Sequence, residues 1–131
     1  MLSRNSSQVT NMTSSVAWFI FVLGIAHIIC GLVKFKSPVA EALSAGFIGQ
    51  FAAPEIRRTA FWFLIFGPLL MLAGHVAIHA SATGDLELLK ILGIYSFVTA
   101  HIGVIAFPRS PFWATLVASP LLVAAGYGLL K

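Results

Sequence analysis

RRTAFWFLIFGPLLMLAGHVAIH, residues 57–79, is the stretch that decides the fold class. Two arginines precede an apolar run that contains no charged side chain, and two histidines four residues apart follow it. A helix needs about 20 predominantly apolar residues to cross the hydrocarbon core of a bilayer. The stretch therefore predicts a transmembrane helix.

Three further stretches have the same character. Hydrophobic residues make up 59% of the 131 residues and charged residues only 9%, against about 25% charged in an ordinary soluble domain. The sequence predicts an all-α integral membrane protein with four transmembrane helices in an up-down bundle, a domain that covers residues 15–131. The predicted helices are residues 16–33, 59–80, 86–107 and 112–130.

The first 14 residues, MLSRNSSQVTNMTS, are polar and contain little to bury. Such a composition is typical of disorder, so residues 1–14 are predicted to be a disordered tail. Asn5 and Asn11 each begin an Asn-x-Ser/Thr pattern, which makes both of them candidate glycosylation sites.

The long connection between the first two predicted helices, residues 37–56, contains a second kind of helix signal. Pro38 can begin a short helix whose apolar residues fall on one side, with Glu41 opposite. This pattern predicts a short amphipathic helix on the membrane surface. The predicted apolar side consists of Val39, Ala42, Leu43 and Phe47.

The basic residues lie at the ends of the apolar stretches, where flanking charge anchors helices at the head groups. Five of them follow predicted helices one and three, against three at the termini and the middle loop. That bias predicts a multi-pass protein with cytoplasmic loops after helices one and three and with both termini outside or lumenal. Because the charges are scattered, the net charge of +4 does not indicate nucleic-acid binding.

All four histidines lie within the predicted helices or at their ends, whereas the four acids lie in loops or at the helix mouths. His27 and His101 each lie six residues before the end of a helix, so both are about 9 Å from the cytoplasmic end at 1.5 Å per residue. In neighbouring helices they could act as acid and base on a lipophilic substrate, share a proton or ligate a haem iron. The simpler alternative is that each imidazole bonds a backbone carbonyl or a nearby hydroxyl, Ser96 and Thr99 being available.

Three residues are candidates for substrate binding, and each has a structural alternative. Arg57 could orient an anionic substrate or simply anchor the helix at the head groups. Trp62 has the position of an interfacial anchor. Gly31, with Gly24, flanks His27, where small residues let helices pack closely or leave room for a ligand.

His75 and His79 have the i, i+4 spacing of paired metal ligands, but the sequence offers no third ligand of obvious type apart from Asp85. No metal site is predicted. No cofactor is predicted either, apart from the haem alternative for His27 and His101.

Three motifs resemble a family of small four-helix membrane proteins of unknown function. They are G-x-x-H-x-x-x-G (Gly24, His27, Gly31), A-F-W-F with spaced glycines (residues 60–63, Gly67, Gly74) and P-x-S-x-F-W (residues 108–113). The resemblance covers residues 18–115 and implies the topology and a special position for His27, but no activity. A fainter likeness, in the Arg-Thr-x-Phe/Trp opening of helix two, is to the small four-helix scaffold of sterol biosynthesis.

Two functions are compatible with these features. The first is an enzyme, an isomerase or cyclase of a biosynthetic pathway, that acts on a lipophilic small molecule in the bilayer through His27 and His101. The second is a non-catalytic scaffold or accessory subunit that holds other membrane enzymes together through its glycine-lined faces. A homo-oligomer is also predicted. A haem-binding membrane protein is the remaining alternative.

Overall fold

The computed structural model describes residues 2–130, and their side chains from residue 12 onward. The described chain folds into five helices: α1 (Leu2–Lys34), α2 (Lys36–Ser44), α3 (Glu55–Thr83), α4 (Leu86–Ala106) and α5 (Phe112–Gly126). The prediction of an all-helical chain is confirmed.

Within the described residues, three helical segments are long and apolar enough to cross a membrane. They are Met12–Lys34, Glu55–Thr83 and Leu86–Ala106, with 23, 29 and 21 residues. α5 is apolar but has only 15 residues. The membrane-type character of the first three predicted spans is therefore confirmed, and a fourth crossing and the up-down bundle stay predictions.

α1 begins well before the predicted first span. Its helical backbone starts at Leu2, inside the segment whose composition predicts a disordered tail. Thr13 is a buried residue of this helix. The side chains of Asn5 and Asn11 lie outside the described part, so the tail boundary at residue 14 and both glycosylation sites stay predictions.

A short helix is present after α1, as predicted, but its apolar side is smaller than the sequence indicates. Ala42 is fully buried, whereas Leu43 is exposed. Phe47 was expected on the same side and instead lies beyond the helix, in a loop with a φ of 64°. The helix ends early because Gly46 takes up a φ of 106°, a conformation that glycine adopts without steric cost.

The chain divides into two compact units. The first, called here the His27 unit, is Phe21–Leu72: the second half of α1, all of α2 and the first half of α3. The rest of the described chain is called the hairpin unit, because its largest part is the antiparallel pair α4 and α5. Its apolar core contains Ala17, Ile20, Ala77, Ala80, Leu89, Ala118, Leu122 and Ala125.

The α4–α5 pair is held at very short separation by glycines. A Cβ added to Gly93 would lie 2.6 Å from the backbone nitrogen of Val123, and one on Gly126 would lie 2.5 Å from that of Lys90. At the other end of the pair, the ring of Phe112 fills the space beside Gly103. The two helices therefore pack in one antiparallel register, with α5 running from the Gly103 end of α4 to its Lys90 end.

Candidate functional site

His27 is half-buried in the His27 unit and is bonded to the neighbouring helix. Its Nε2 lies 3.0 Å from the backbone carbonyl oxygen of Phe63. A carbonyl oxygen only accepts hydrogen bonds, so Nε2 must carry the hydrogen and donate it. In the neutral ring, Nδ1 is then the nitrogen with the lone pair, and the tautomer of His27 is determined by this one contact.

Aromatic rings surround the imidazole. The Phe63 ring stacks on His27 with centroids 4.2 Å apart and an interplanar angle of 13°. Phe66 meets the imidazole edge-on at 5.6 Å, and Phe35 packs against Phe63 at 5.4 Å. We call these four rings, His27, Phe35, Phe63 and Phe66, the Phe63 cluster. It gives His27 an apolar environment with one polar contact.

A cation lies beside the same cluster. Lys34 Nζ is 5.6 Å from the centroid of the Phe35 ring and 5.8 Å from that of Phe63. Ammonium groups within about 6 Å of an aromatic face are attracted by the ring quadrupole. The C-terminal end of α1 thus brings a positive charge to the edge of the Phe63 cluster.

The glycines next to His27 are packing residues in this structure. A Cβ on Gly24 would lie 2.7 Å from the Met71 nitrogen and 2.8 Å from the Gly67 carbonyl oxygen. A Cβ on Gly31 would meet the side chains of Leu64 and Phe63 at 2.7 and 2.9 Å. The contacts support the packing alternative for Gly31, because the space that a ligand would need beside its Cα is filled by the chain itself.

Arg57 is less exposed than a simple head-group anchor. Its side chain is only 17% exposed, and its Nη2 lies 3.3 Å from Oε2 of Glu41, which is 59% exposed. The Nε of Arg57 is buried and has no hydrogen-bond partner among the described residues. By helical spacing Arg57 lies on the same face of α3 as Leu64, seven residues further on, which contacts Gly31 of α1.

Arg58, the next residue, makes different contacts. Its Nε and Nη2 both donate to the backbone carbonyl oxygen of Ala52, at 3.3 and 2.8 Å. These bonds tie the loop before α3 to the first turn of that helix. The two adjacent arginines therefore differ: Arg58 bonds the loop before α3, whereas the Nε of Arg57 has no partner among the described residues.

Trp62 lies on the outer side of α3. Its side chain is 64% exposed and its ring touches that of Phe61 edge-on at 5.5 Å. An exposed indole near the end of an apolar helix is typical of an interfacial anchor. A role for Trp62 in substrate binding stays a prediction.

The remaining histidines belong to the hairpin unit. His101 is exposed on α4, with its ring 4.7 Å from that of Phe97. Because His27 and His101 belong to different units, their predicted pairing stays a prediction, as does haem ligation. His75 and His79 are exposed on α3, and the described residues contain no group of three His, Cys, Asp or Glu side chains that could hold a metal ion.

Sequence reasoning singled out His27 and Arg57 but missed what they touch. The acceptor for His27 is a backbone carbonyl 36 residues away, and every residue carries one, so no sequence signal marks it. The Glu41–Arg57 pair joins residues 16 apart on two helices. The sequence signal for this ion pair is the opposite charge of the two side chains. The apolar pattern of α2 places Glu41 on the side facing water, so it does not predict a contact with Arg57.

Three membrane-length apolar helices and a half-buried histidine in an aromatic cluster define a small helical protein of membrane type. Residues 11–127 match a family of unknown function, DUF6463, and the chain belongs to that family. The resemblance to an uncharacterised family is thereby confirmed, whereas the likeness to the sterol-biosynthesis scaffold finds no support. No curated protein and no solved structure matches the chain significantly.

Proposed function

We propose that the protein acts on a lipophilic small molecule within the bilayer and that His27 is its acid/base group. The observation that carries this proposal is the position of His27 among the rings of Phe63 and Phe66. The hydrogen bond from Nε2 to the Phe63 carbonyl is the contact that the simpler alternative for this imidazole predicts. It holds the ring in one tautomer, in which Nδ1 of the neutral imidazole is the proton acceptor. Imidazole is the side chain best suited to exchange a proton near neutral pH.

The surroundings of His27 narrow the class of reaction. Phe63 and Phe66 offer the apolar contacts that a lipophilic ligand needs. Of the four carboxylates of the chain, Glu41 lies on the short helix α2, and Glu55, Asp85 and Glu87 lie at the beginnings of α3 and α4. A single imidazole that removes a proton at one carbon and returns it at another performs an isomerisation, and the same proton transfer can start a cyclisation.

We propose, in addition, that α5 makes the fourth crossing. α4 is long enough to span a membrane, and α5 contacts it from Gly103 to Lys90. The 13 residue steps from Lys90 to Gly103 correspond to about 20 Å of helix axis. An α5 that follows α4 over this length reaches nearly the same depths, although it is shorter, and the four helices would then form an up-down arrangement.

The chemical test compares the wild type with His27→Gln and His27→Ala. Purified protein in nanodiscs is incubated with a lipid extract of its own expression host, and lipophilic species are compared by liquid chromatography and mass spectrometry. We expect the wild type to convert at least one species and both variants to fail. His27→Gln keeps an amide donor for the Phe63 carbonyl, so it separates proton transfer from packing. Equal conversion by the wild type and His27→Gln would disprove the acid/base role.

Orientation is tested by cysteine labelling. In a Cys30→Ser background, a cysteine at Ser37 should react with a membrane-impermeant maleimide only after the membrane is opened, because the loop after α1 is proposed to face the cytoplasm. A cysteine at Thr83, before the loop between α3 and α4, is the matched position on the opposite side. Labelling of the Ser37 position in intact cells would reverse the proposed topology.

The scaffold alternative depended on glycine faces that are open to partners. Gly24, Gly31 and Gly67 instead face atoms of the chain itself, which lie within 3 Å of the position that a Cβ would take. These three glycines therefore offer no open face to a partner, and a scaffold role through Gly74 stays a prediction.

A further inference from the structure

We propose that Arg57 binds the anionic head group of an amphiphile, a phosphate or a carboxylate attached to an apolar chain. This inference rests on the proposed function, because it assigns a chemical class to the lipophilic molecule on which His27 would act. It is carried by the contacts of Arg57, by the difference between Arg57 and Arg58, and by the distance from Arg57 to the Phe63 cluster.

The guanidinium of Arg57 has donors that the chain does not use. A guanidinium carries five N–H donors in a planar fork that matches two oxygens of a carboxylate or phosphate. In Arg57 the buried Nε has no partner within the described chain. Its one ion pair, Nη2 to Glu41 at 3.3 Å, involves a carboxylate that is mostly exposed. A buried charged donor without an acceptor costs free energy, and an incoming anion would remove that cost.

Among the neighbouring cations, the combination of burial and a donor without a partner is specific to Arg57. Arg58 satisfies its Nε and one terminal nitrogen on the carbonyl of Ala52. Lys36 is exposed, so its ammonium group is solvated without a ligand. Diffuse attraction between basic residues and an anionic membrane would involve all of them equally. A partly buried fork with an unused donor points instead to one bound head group.

The position of Arg57 on α3 favours an amphiphile over a free anion. It is the third residue of the helix, and its face continues through Leu64 into the apolar part. Phe63, which stacks on His27, is six residues further on, about 9 Å along the helix axis. A molecule whose head group sits at Arg57 has its apolar chain along the Leu64 side of α3, next to Phe63 in the sequence, with Lys34 as a second cation at the same end.

The binding test uses Trp62 as the reporter, because it is exposed and five residues from Arg57. Full-length protein with Trp18→Phe and Trp113→Phe is placed in phosphatidylcholine nanodiscs. The quenching of Trp62 is measured with dibrominated phosphatidic acid, dibrominated stearic acid and dibrominated phosphatidylcholine. We expect the two anionic probes to quench at lower mole fraction than the zwitterionic probe. Which anionic probe quenches at the lower mole fraction distinguishes a phosphate from a carboxylate head group.

Four variants make the test specific. Arg57→Gln should reduce the preference for the anionic probes about tenfold, the factor that corresponds to about 1.4 kcal/mol. Arg57→Lys should also weaken it, because lysine keeps the charge but lacks the fork. Glu41→Gln should strengthen it, since the competing carboxylate is gone. Lys36→Gln, the matched loss of one exposed positive charge, should leave it unchanged.

Two results would overturn the inference. The first is an equal loss of preference in Arg57→Gln and Lys36→Gln, which would mean diffuse surface charge. The second is displacement of the probes by inorganic phosphate alone, which would identify a site for a free anion. Glu41→Gln keeps the inference testable if both Arg57 variants fail to fold, because it predicts tighter binding.

Different results would disprove the head-group site at Arg57 and the acid/base role of His27. His27→Gln should bind the anionic probes like the wild type, because its change lies beyond the head-group contacts. Retained binding with no conversion in the lipid-extract assay would leave Arg57 as a head-group site and remove the catalytic role of His27. Conversion that depends on His27 but not on Arg57 would support the catalytic role of His27 and remove the head-group site at Arg57.

Discussion

The His27 unit and the α4–α5 pair solve the same packing problem with the same residue type. In each, two antiparallel helices approach so closely that a Cβ at the crossing would meet backbone atoms: at Gly24 in the His27 unit, and at Gly93 and Gly126 in the hairpin unit. Without a hydrophobic driving force between helices in lipid, such close contact supplies the packing energy. The glycine pattern alone therefore does not distinguish a site from a structural contact.

The two regions differ in what lies beside the glycines. The α1–α3 contact contains a histidine bonded to a carbonyl and ends at an arginine with an unused donor. The α4–α5 contact is lined by alanine, leucine and the fully buried Ser119, and Lys90 lies at its Gly126 end, where it pairs with Glu87 and lies over the Tyr127 ring. Polar groups therefore occur at both contacts, and what marks the candidate site is the hydrogen bond from a histidine on one helix to the backbone of the other.

The largest expected effect is on the shared packing. Gly24→Ala and Gly126→Ala should each lower the free energy of unfolding by about 1–3 kcal/mol, because the added methyl meets backbone atoms that must move. Gly31→Ala should cost less, since its neighbours are the ends of side chains. The measurement is thermal unfolding in detergent by circular dichroism. Ala26→Leu, on an exposed part of α1, is the control, and equal stability of Gly24→Ala and that control would contradict the close approach.

A smaller effect separates the two candidate histidines. His27→Ala should cost about 0.5–1.5 kcal/mol, because it removes one hydrogen bond to a partly buried carbonyl and the stacked ring. His101→Ala should change stability by less than about 0.5 kcal/mol, since this ring is exposed. His27→Gln should recover part of the loss. The same unfolding assay checks all three, and an equal cost at both histidines would show that the His27 contact does not contribute to stability.

Ser119→Ala should be neutral or should stabilise the protein by up to about 1 kcal/mol. The Ser119 hydroxyl is fully buried and has no partner within the described residues, so alanine removes an unsatisfied polar group. Ser44→Ala, which removes a hydroxyl bonded to the Glu41 carbonyl at 3.0 Å, is the comparison. A clear loss of stability in Ser119→Ala would mean that this hydroxyl is bonded in the membrane.

The smallest effect is expected at the ion pair. Glu41→Gln should change the free energy of unfolding by less than about 0.5 kcal/mol, since one partner is mostly exposed and such pairs contribute little. Its influence should instead be visible in anion binding. A large loss of stability without a change in binding would make the pair structural and would weaken the case for Arg57 as a head-group site.

Much of the architecture could be predicted from the chain alone. The three long spans follow from apolar runs of about 20 residues, and the short helix after α1 follows from Pro38 and the apolar spacing. The errors occurred where local rules compete. Phe47 continues the apolar pattern of α2, but the flexible Gly46 ends the helix before it, and α5 ends at Gly126 rather than near Leu130.

The sequence by itself determined the fold class, the membrane-type helices and the family, and it predicts candidate site residues, His27 and His101 as acid and base and Arg57 for substrate binding. These follow from composition and from patterns within one helix, where the physics is local. Only the tertiary structure decided that the His27 donor meets the Phe63 carbonyl, that Gly31 is filled by Leu64, and that Arg57 keeps an unused donor. Such contacts depend on how two helices pair in space, and a backbone carbonyl or an absent partner leaves no trace in the residue pattern.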